Sequence, residues 1–144
     1  MNVVALMGRL SRPPEETVLD SGTRLMSLQL TVEGAGAPAE TVPIVWFDAP
    51  ATALDLDVGD AVVVVGRVRR RFFRAGATTQ SRTEVVAESV TSAARPVKVR
   101  TAITRVIERL GTELDSPPPA PAKKQAKSAS GGRAPGPAAK SART

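Results

Sequence analysis

The 144-residue chain has no cysteine, no histidine and no tyrosine, and its aromatic residues are one Trp and three Phe. Without cysteine there are no disulfides, no thiolate metal sites and no cysteine nucleophile. Without histidine the commonest general base and the commonest metal ligand are missing. The apolar runs Val3–Met7 and Ala61–Val65 fall far short of the roughly 20 residues that a membrane helix needs. No basic residue precedes Val3 and Arg9 follows at once, which makes a poor signal peptide. These absences predict a soluble, cytoplasmic chain with no cofactor, no metal and no membrane contact.

Acidic residues are missing from one end. From Pro117 to Thr144 there is no Asp or Glu, while Lys123, Lys124, Lys127, Arg133, Lys140 and Arg143 give +6. That equals the net charge of the whole chain and leaves residues 1–116 neutral, with 14 residues of each sign. The apolar side chains of this stretch are only Ala and Pro, too little to offset the entropy of ordering, so 116–144 reads as a disordered basic tail. A basic disordered arm suits sequence-independent attraction to phosphates. The alternative is a solubilising linker with incidental lysines.

Residues 1–92 read as a domain of strands. Val3–Leu6 open the first, and Pro13-Pro14 breaks it. Met26, Leu28, Leu30 and Val32 alternate with Ser27, Gln29, Thr31 and Glu33, a period-two strand with one buried face. Thr41–Asp48 is a third strand, in which Pro43 cannot donate to a ladder. Pro50–Leu56 suits one or two helical turns. Ala61–Arg74 is a long fourth strand, and Arg82–Val90 a fifth, after a glycine-containing turn. Five short strands with a helix between the third and fourth predict an all-β fold, a Greek-key barrel of the oligonucleotide-binding (OB) type. In 97–112 the apolar residues Val99, Ala102, Ile103, Val106, Ile107 and Leu110 recur at helical spacing, and Gly111 sits where a helix would end. This amphipathic helix packs on the barrel or on another copy of itself. Contact with a membrane is the weaker alternative, because the stripe lacks aromatics.

The four aromatics come as two adjacent pairs, Trp46-Phe47 and Phe72-Phe73. The second pair lies in Gly66-Arg67-Val68-Arg69-Arg70-Arg71-Phe72-Phe73-Arg74. Strand alternation puts Arg67, Arg69, Arg71 and Phe73 on one face, and Val62, Val64, Val68 and Phe72 on the other. Rings and guanidinium groups in one row suit single-stranded nucleic acid, whose unpaired bases stack while its phosphates bind cations. Adjacent aromatics point to opposite faces, so one of each pair belongs to the core. Trp46 is assigned there with Val42 and Ile44, and Phe72 with the valines. Phe73 is the best stacking candidate, and Phe47 is divided between core and surface. An Arg-rich strand that merely discourages aggregation is the plainer alternative, yet no Asp or Glu interrupts this one.

The order of these segments resembles the bacterial single-stranded DNA-binding protein family. Val3–Leu10 followed by Pro14-Glu15 is similar to its opening, and Met26–Val32 to its second strand. Ile44–Phe47, the run from Gly59-Asp60 to Gly66-Arg67-Val68, and Thr83–Val86 resemble the segments that follow. The resemblance implies an OB barrel that assembles as a homo-oligomer, a tetramer or dimer. It also implies binding of single-stranded DNA without sequence preference in replication, recombination or repair, on the nucleoid. Phe47 and Phe73 fall where the family places stacking aromatics. Thr41 stands where a Trp is usual, and the loop from Gly34 to Glu40 is short. The acidic, Phe-terminated tip that recruits repair proteins is missing, and the helix is extra. These departures imply a specialised or second copy with a smaller footprint and no recruitment through such a tip. Richness in Ala, Arg and Val suggests a GC-rich genome, as in actinobacteria.

The residues then predict a non-enzymatic DNA binder with no catalytic residue. In it Phe47 and Phe73 stack bases, Arg67, Arg69, Arg71 and Arg74 follow the phosphates, and Arg9 and Arg24 extend the path. An RNA-binding barrel is the alternative within the same chemistry. An interaction module using the helix and the basic tail is the alternative from another class. Asp55, Asp57 and Asp60 flank a turn at Gly59, which is ordinary for Asp.

Overall fold

The computed structural model of the chain describes residues 1–121. The basic residues from Lys123 onward therefore lie outside the described residues.

Six strands, β1 (Val4–Leu10), β2 (Glu15–Val18), β3 (Arg24–Val32), β4 (Glu40–Phe47), β5 (Ala61–Ala75) and β6 (Thr78–Ser92), form one sheet in the order β1-β5-β6-β4-β3-β2. β1 also pairs with β3 at Arg9–Thr31 and Leu10–Leu30, which closes the sheet on itself. The β4–β6 pair is parallel and the others are antiparallel. A short 3-10 helix, Ala51–Asp55, joins β4 to β5. β1, β3, β4, β6 and β5 in closed succession, with a helical turn between β4 and β5, make the OB barrel.

The alternation in β3 fills the interior with Met26, Leu28 and Leu30. Facing strands add Leu10, Ile44, Trp46, Val62, Val64, Val85 and Ala87. Trp46 is a core residue, as its parity with Ile44 requires. Two glycines allow strands to pass close together. A Cβ at Gly8 would lie 2.3 Å from the Thr31 carbonyl oxygen, and one at Gly66 would lie 2.1 Å from that of Val86. Gly66 also adjoins the irregularity of the β5–β6 ladder. Val65 pairs with Ser89 but Gly66 pairs with Ala87, so Glu88 is an extra residue on β6.

The structure departs from expectation in three elements. β2 leaves no mark in the sequence pattern, because Glu15-Glu16-Thr17-Val18 is exposed throughout and has no buried face. β6 starts at Thr78 rather than Arg82, because a tight turn with Gly76 at φ 63° lets Ala75 and Thr78 pair directly. The helix α1 (Pro96–Asp115) runs through Gly111. Pro117 sets its end instead, restricting Ser116 to the extended backbone it adopts, φ −89° and ψ 139°. α1 faces Val65, Glu88, Ser89 and Thr91 of β5 and β6 across an open cleft. Arg109 is ion-paired with Glu88 at 3.1 Å, and the Met1 ammonium with Glu113 at 3.7 Å.

The long β5–β6 hairpin projects beyond the barrel. β1 covers β5 only as far as Gly66, and β4 covers β6 only at Val85 and Val86. Asn2 adds one more rung, its side-chain Nδ2 donating to the Val68 carbonyl (2.7 Å) and its Oδ1 accepting from the Val68 amide (2.9 Å). From Arg69 to Ala75 the ribbon is two-stranded, roughly 20 Å long at about 3.3 Å per residue.

Candidate nucleic-acid interface

The outer face of the barrel changes character along β5. Val63 and Val65 are buried, and beyond Gly66 the same parity carries Arg67, Arg69, Arg71 and Phe73. Direct pairing places Val86 opposite Arg67, Glu84 opposite Arg69, Arg82 opposite Arg71 and Gln80 opposite Phe73. Side chains directly opposite share a face. The Val45–Val86 pair joins β4 to this surface and brings Phe47, two residues further on, to the same side. One surface of three strands thus holds Phe47, Phe73 and four arginines over a nearly buried floor of Val45 and Val86.

Glu84 organises this surface, and it was missed in the sequence. Only 2% of it is exposed. Arg69 donates to its Oε1 through Nε (3.2 Å) and Nη2 (2.5 Å), and Arg71 Nε lies 3.8 Å away. The Arg69 guanidinium also sits 5.6 Å from the centre of the Phe47 ring, and that of Arg71 sits 5.8 Å from Phe73. Arg69 is therefore fixed between a carboxylate and a ring. Its charge is largely compensated locally, and its side chain is only partly exposed beside the Phe47 ring. Arg67 and Arg82 are exposed and make no ion pair among the described residues. No Glu interrupts the arginine string along β5, yet one faces it across the ladder. The register that puts it there is set by the two-residue turn that pairs Ala75 with Thr78, and the ladder runs unbroken from that turn to Gly66.

The predicted site residues do not all meet. Phe47, Phe73, Arg67, Arg69 and Arg71 share this surface. Arg74 does not: its parity is that of Val68, Arg70 and Phe72, on the opposite side of the arm. Phe72 is not a core residue. It is 65% exposed, against 38% for Phe73, because the arm has left the barrel before reaching it. Arg9 lies on the outer face of β1, pairs with Ala61 at the far end of β5, and donates to the Gly59 carbonyl oxygen at 3.0 Å. Eight residues of strand, roughly 26 Å, separate that end from Arg69. Arg24 shares the parity of Met26 and is bound to Glu16 on the neighbouring β2. The Arg24 hydrogen bond holds the Glu16 carboxyl below the usual carboxylate range. Neither Arg9 nor Arg24 joins the surface around Glu84.

Chemically, the surface can hold a flexible polyanion with flat, exposed bases. Asp57 and Asp60 do other work, accepting backbone amides of the turn at Gly59. Asp60 Oδ2 accepts from the Asp57 amide at 2.9 Å, and Asp57 Oδ1 from that of Val58 at 2.7 Å. Among the described residues no group of three or more acidic side chains is placed to hold a metal ion. No described helix is long and apolar enough to cross a membrane.

Comparison with known proteins agrees with the barrel fold. A deletion mutant of the single-stranded DNA binding protein from Thermus aquaticus, solved as a crystal structure, superposes with a TM-score of 0.54 at 25% identity. The match covers 64% of this chain and 40% of that one, so this chain spans less than half the length of the Thermus aquaticus protein. No curated protein sequence matches the chain. The sequence profile described as the Single-strand binding protein family matches residues 1–93. By that match, which takes in the whole barrel and the arm, the chain belongs to the single-strand binding protein family.

Proposed function

We propose that the outer face of β4, β5 and β6 binds single-stranded DNA without sequence preference. The observation that carries this is the convergence of Phe47, Phe73, Arg67, Arg71 and Arg82 around the Arg69–Glu84 pair, in a barrel of this family. Bases stack on Phe73 and on the shelf formed by Phe47 and Arg69. Arg67, Arg71 and Arg82 meet phosphates. Duplex DNA buries its base faces and so gains nothing from this shelf. The role is binding rather than catalysis, and it protects or organises single strands during replication, recombination or repair. Self-association accompanies it: Ile107, Leu110 and Leu114 leave an apolar stripe of α1 uncovered, open to a second copy.

The test is titration of the purified protein with oligo-dT at two salt concentrations, alongside its mass in solution. Binding that weakens as salt rises, and that a matched duplex does not compete away, is the expected result. Equal affinity for duplex and single strand would remove the stacking argument. A matched RNA oligomer as competitor decides between the two polymers.

A further inference from the structure

The opposite side of the β5–β6 arm carries a second set of the same groups. Val68, Arg70, Phe72 and Arg74 share this side by alternation, and the β6 residues facing the last three are Thr83, Ser81 and Thr79. The Arg70 guanidinium lies 5.3 Å from the centre of the Phe72 ring and donates to Ser81 Oγ at 2.9 Å. No carboxylate lies among these seven residues, so neither arginine here is compensated as Arg69 is by Glu84. Phe72 is the most exposed phenyl ring of the chain, and Val68 beside it is also exposed. A ring held in water on a projecting ribbon contributes nothing to the core.

We propose that this second side of the arm binds a further segment of single-stranded nucleic acid, stacked on Phe72 and held through its phosphates by Arg70 and Arg74. The arm then lies between two stretches of strand, one on each side. This rests on the reading of the first surface as a nucleic-acid site. Charge selects the occupant. A second copy docking through the same patch would join two cationic surfaces with no carboxylate on either, a like-charge contact that is unfavourable. A polyanion meets Arg70 and Arg74 without such conflict.

The experiment uses the full chain and labelled oligo-dT of about eight nucleotides, within the 4–16 covered by one barrel of this type. Parent, Phe72→Ala and Phe73→Ala proteins are titrated at low salt, and bound oligomers per chain are counted. Energy transfer between donor- and acceptor-labelled octamers reports two separate strands on one arm. Transfer between the ends of one oligomer of about 35 nucleotides reports a single strand turned around the tip. In Phe72→Ala the second octamer is expected to bind roughly 5- to 150-fold more weakly, the factor equivalent to about 1–3 kcal/mol for one stacked base. The first octamer is expected to bind as in the parent. Phe72→Trp should restore the second site and Phe72→Leu should not, which separates stacking from apolar contact. If Phe72→Ala keeps the parent's count while Phe73→Ala loses affinity, this proposal falls and the first surface stands. If Phe72→Ala changes only the mass in solution, the patch is a protein contact and the proposal is equally overturned. If the parent binds no oligomer at low salt, both readings fail together.

Discussion

Replacing Arg69 by Ala tests how the charged surface is built. Arg69 supplies both hydrogen bonds that Glu84 accepts from side chains, at 3.2 and 2.5 Å, and Arg71 stands 3.8 Å away, too far for a third. The Glu84 side chain is only 3% exposed. Stripping one partner from a buried ion pair costs about 3–5 kcal/mol, because a desolvated charge is left behind. Arg71 remains, and the Arg69 side chain is itself 30% exposed, so water can enter the vacated space. The expected loss is then about 2–4 kcal/mol, or roughly 8–16 °C in Tm for a domain of this size. Arg67→Ala, at an exposed position with no ion pair among the described residues, should stay within about 0.5 kcal/mol of the parent. The assay is thermal unfolding of both variants and of the Arg69→Ala/Glu84→Gln double variant. The double variant should recover at least about 1 kcal/mol, a coupling typical of groups that touch. DNA binding should show the reverse order. Arg67→Ala should lower the salt slope by about 0.7 for each phosphate left without its cation, and Arg69→Ala by less, since its charge is already matched. Equal stability of the two single variants would show that Glu84 does not depend on Arg69, and the account of the surface would be wrong.

Three further outcomes follow from other parts of the molecule. Phe73→Ala should weaken oligo-dT binding by about thirtyfold, near the middle of the range for one stacked base, with an unchanged salt slope; a fall in slope would mark Phe73 as a support for Arg71 instead. Gly66→Ala places a Cβ 2.1 Å from the Val86 carbonyl oxygen, so the β5–β6 ladder must shift, and chemical denaturation should show a loss of more than about 2 kcal/mol. The Glu16 carboxyl, held below its ordinary value of 4.5 by the Arg24 hydrogen bond, should titrate higher in Arg24→Ala when followed by NMR. A depressed folded-state pKa stabilises the protein above the unfolded value, and that contribution is lost as pH falls through the folded one. Below that point parent and variant should converge in stability.

The barrel was legible because its strands obey simple periods. Met26, Leu28 and Leu30 in β3, and Ile44 with Trp46 in β4, each declare a buried face without any knowledge of their neighbours. β5 shows where that reasoning stops. Val62 and Val64 are interior, and counting by twos carries the same parity outward to Val68 and Phe72. The count is right, and it makes Phe72 inward-facing. Yet inward has no meaning once β1 and β4 no longer flank the hairpin, and Phe72 ends 65% exposed. Parity is local, whereas burial depends on how far other strands reach. The partners of the arginines were hidden for a related reason. Arg69 meets Glu84, fifteen residues away in the chain, because the two-residue turn at Gly76-Ala77 pairs Ala75 with Thr78, and each rung from there to Gly66 follows by count. A turn one residue longer would put Val85 opposite Arg69 and Glu84 opposite Arg70. Every charge on the surface would then have a different neighbour. Which residue types crowd this arm is therefore visible in the chain, but which arginine is free to meet a phosphate is decided by the length of one turn.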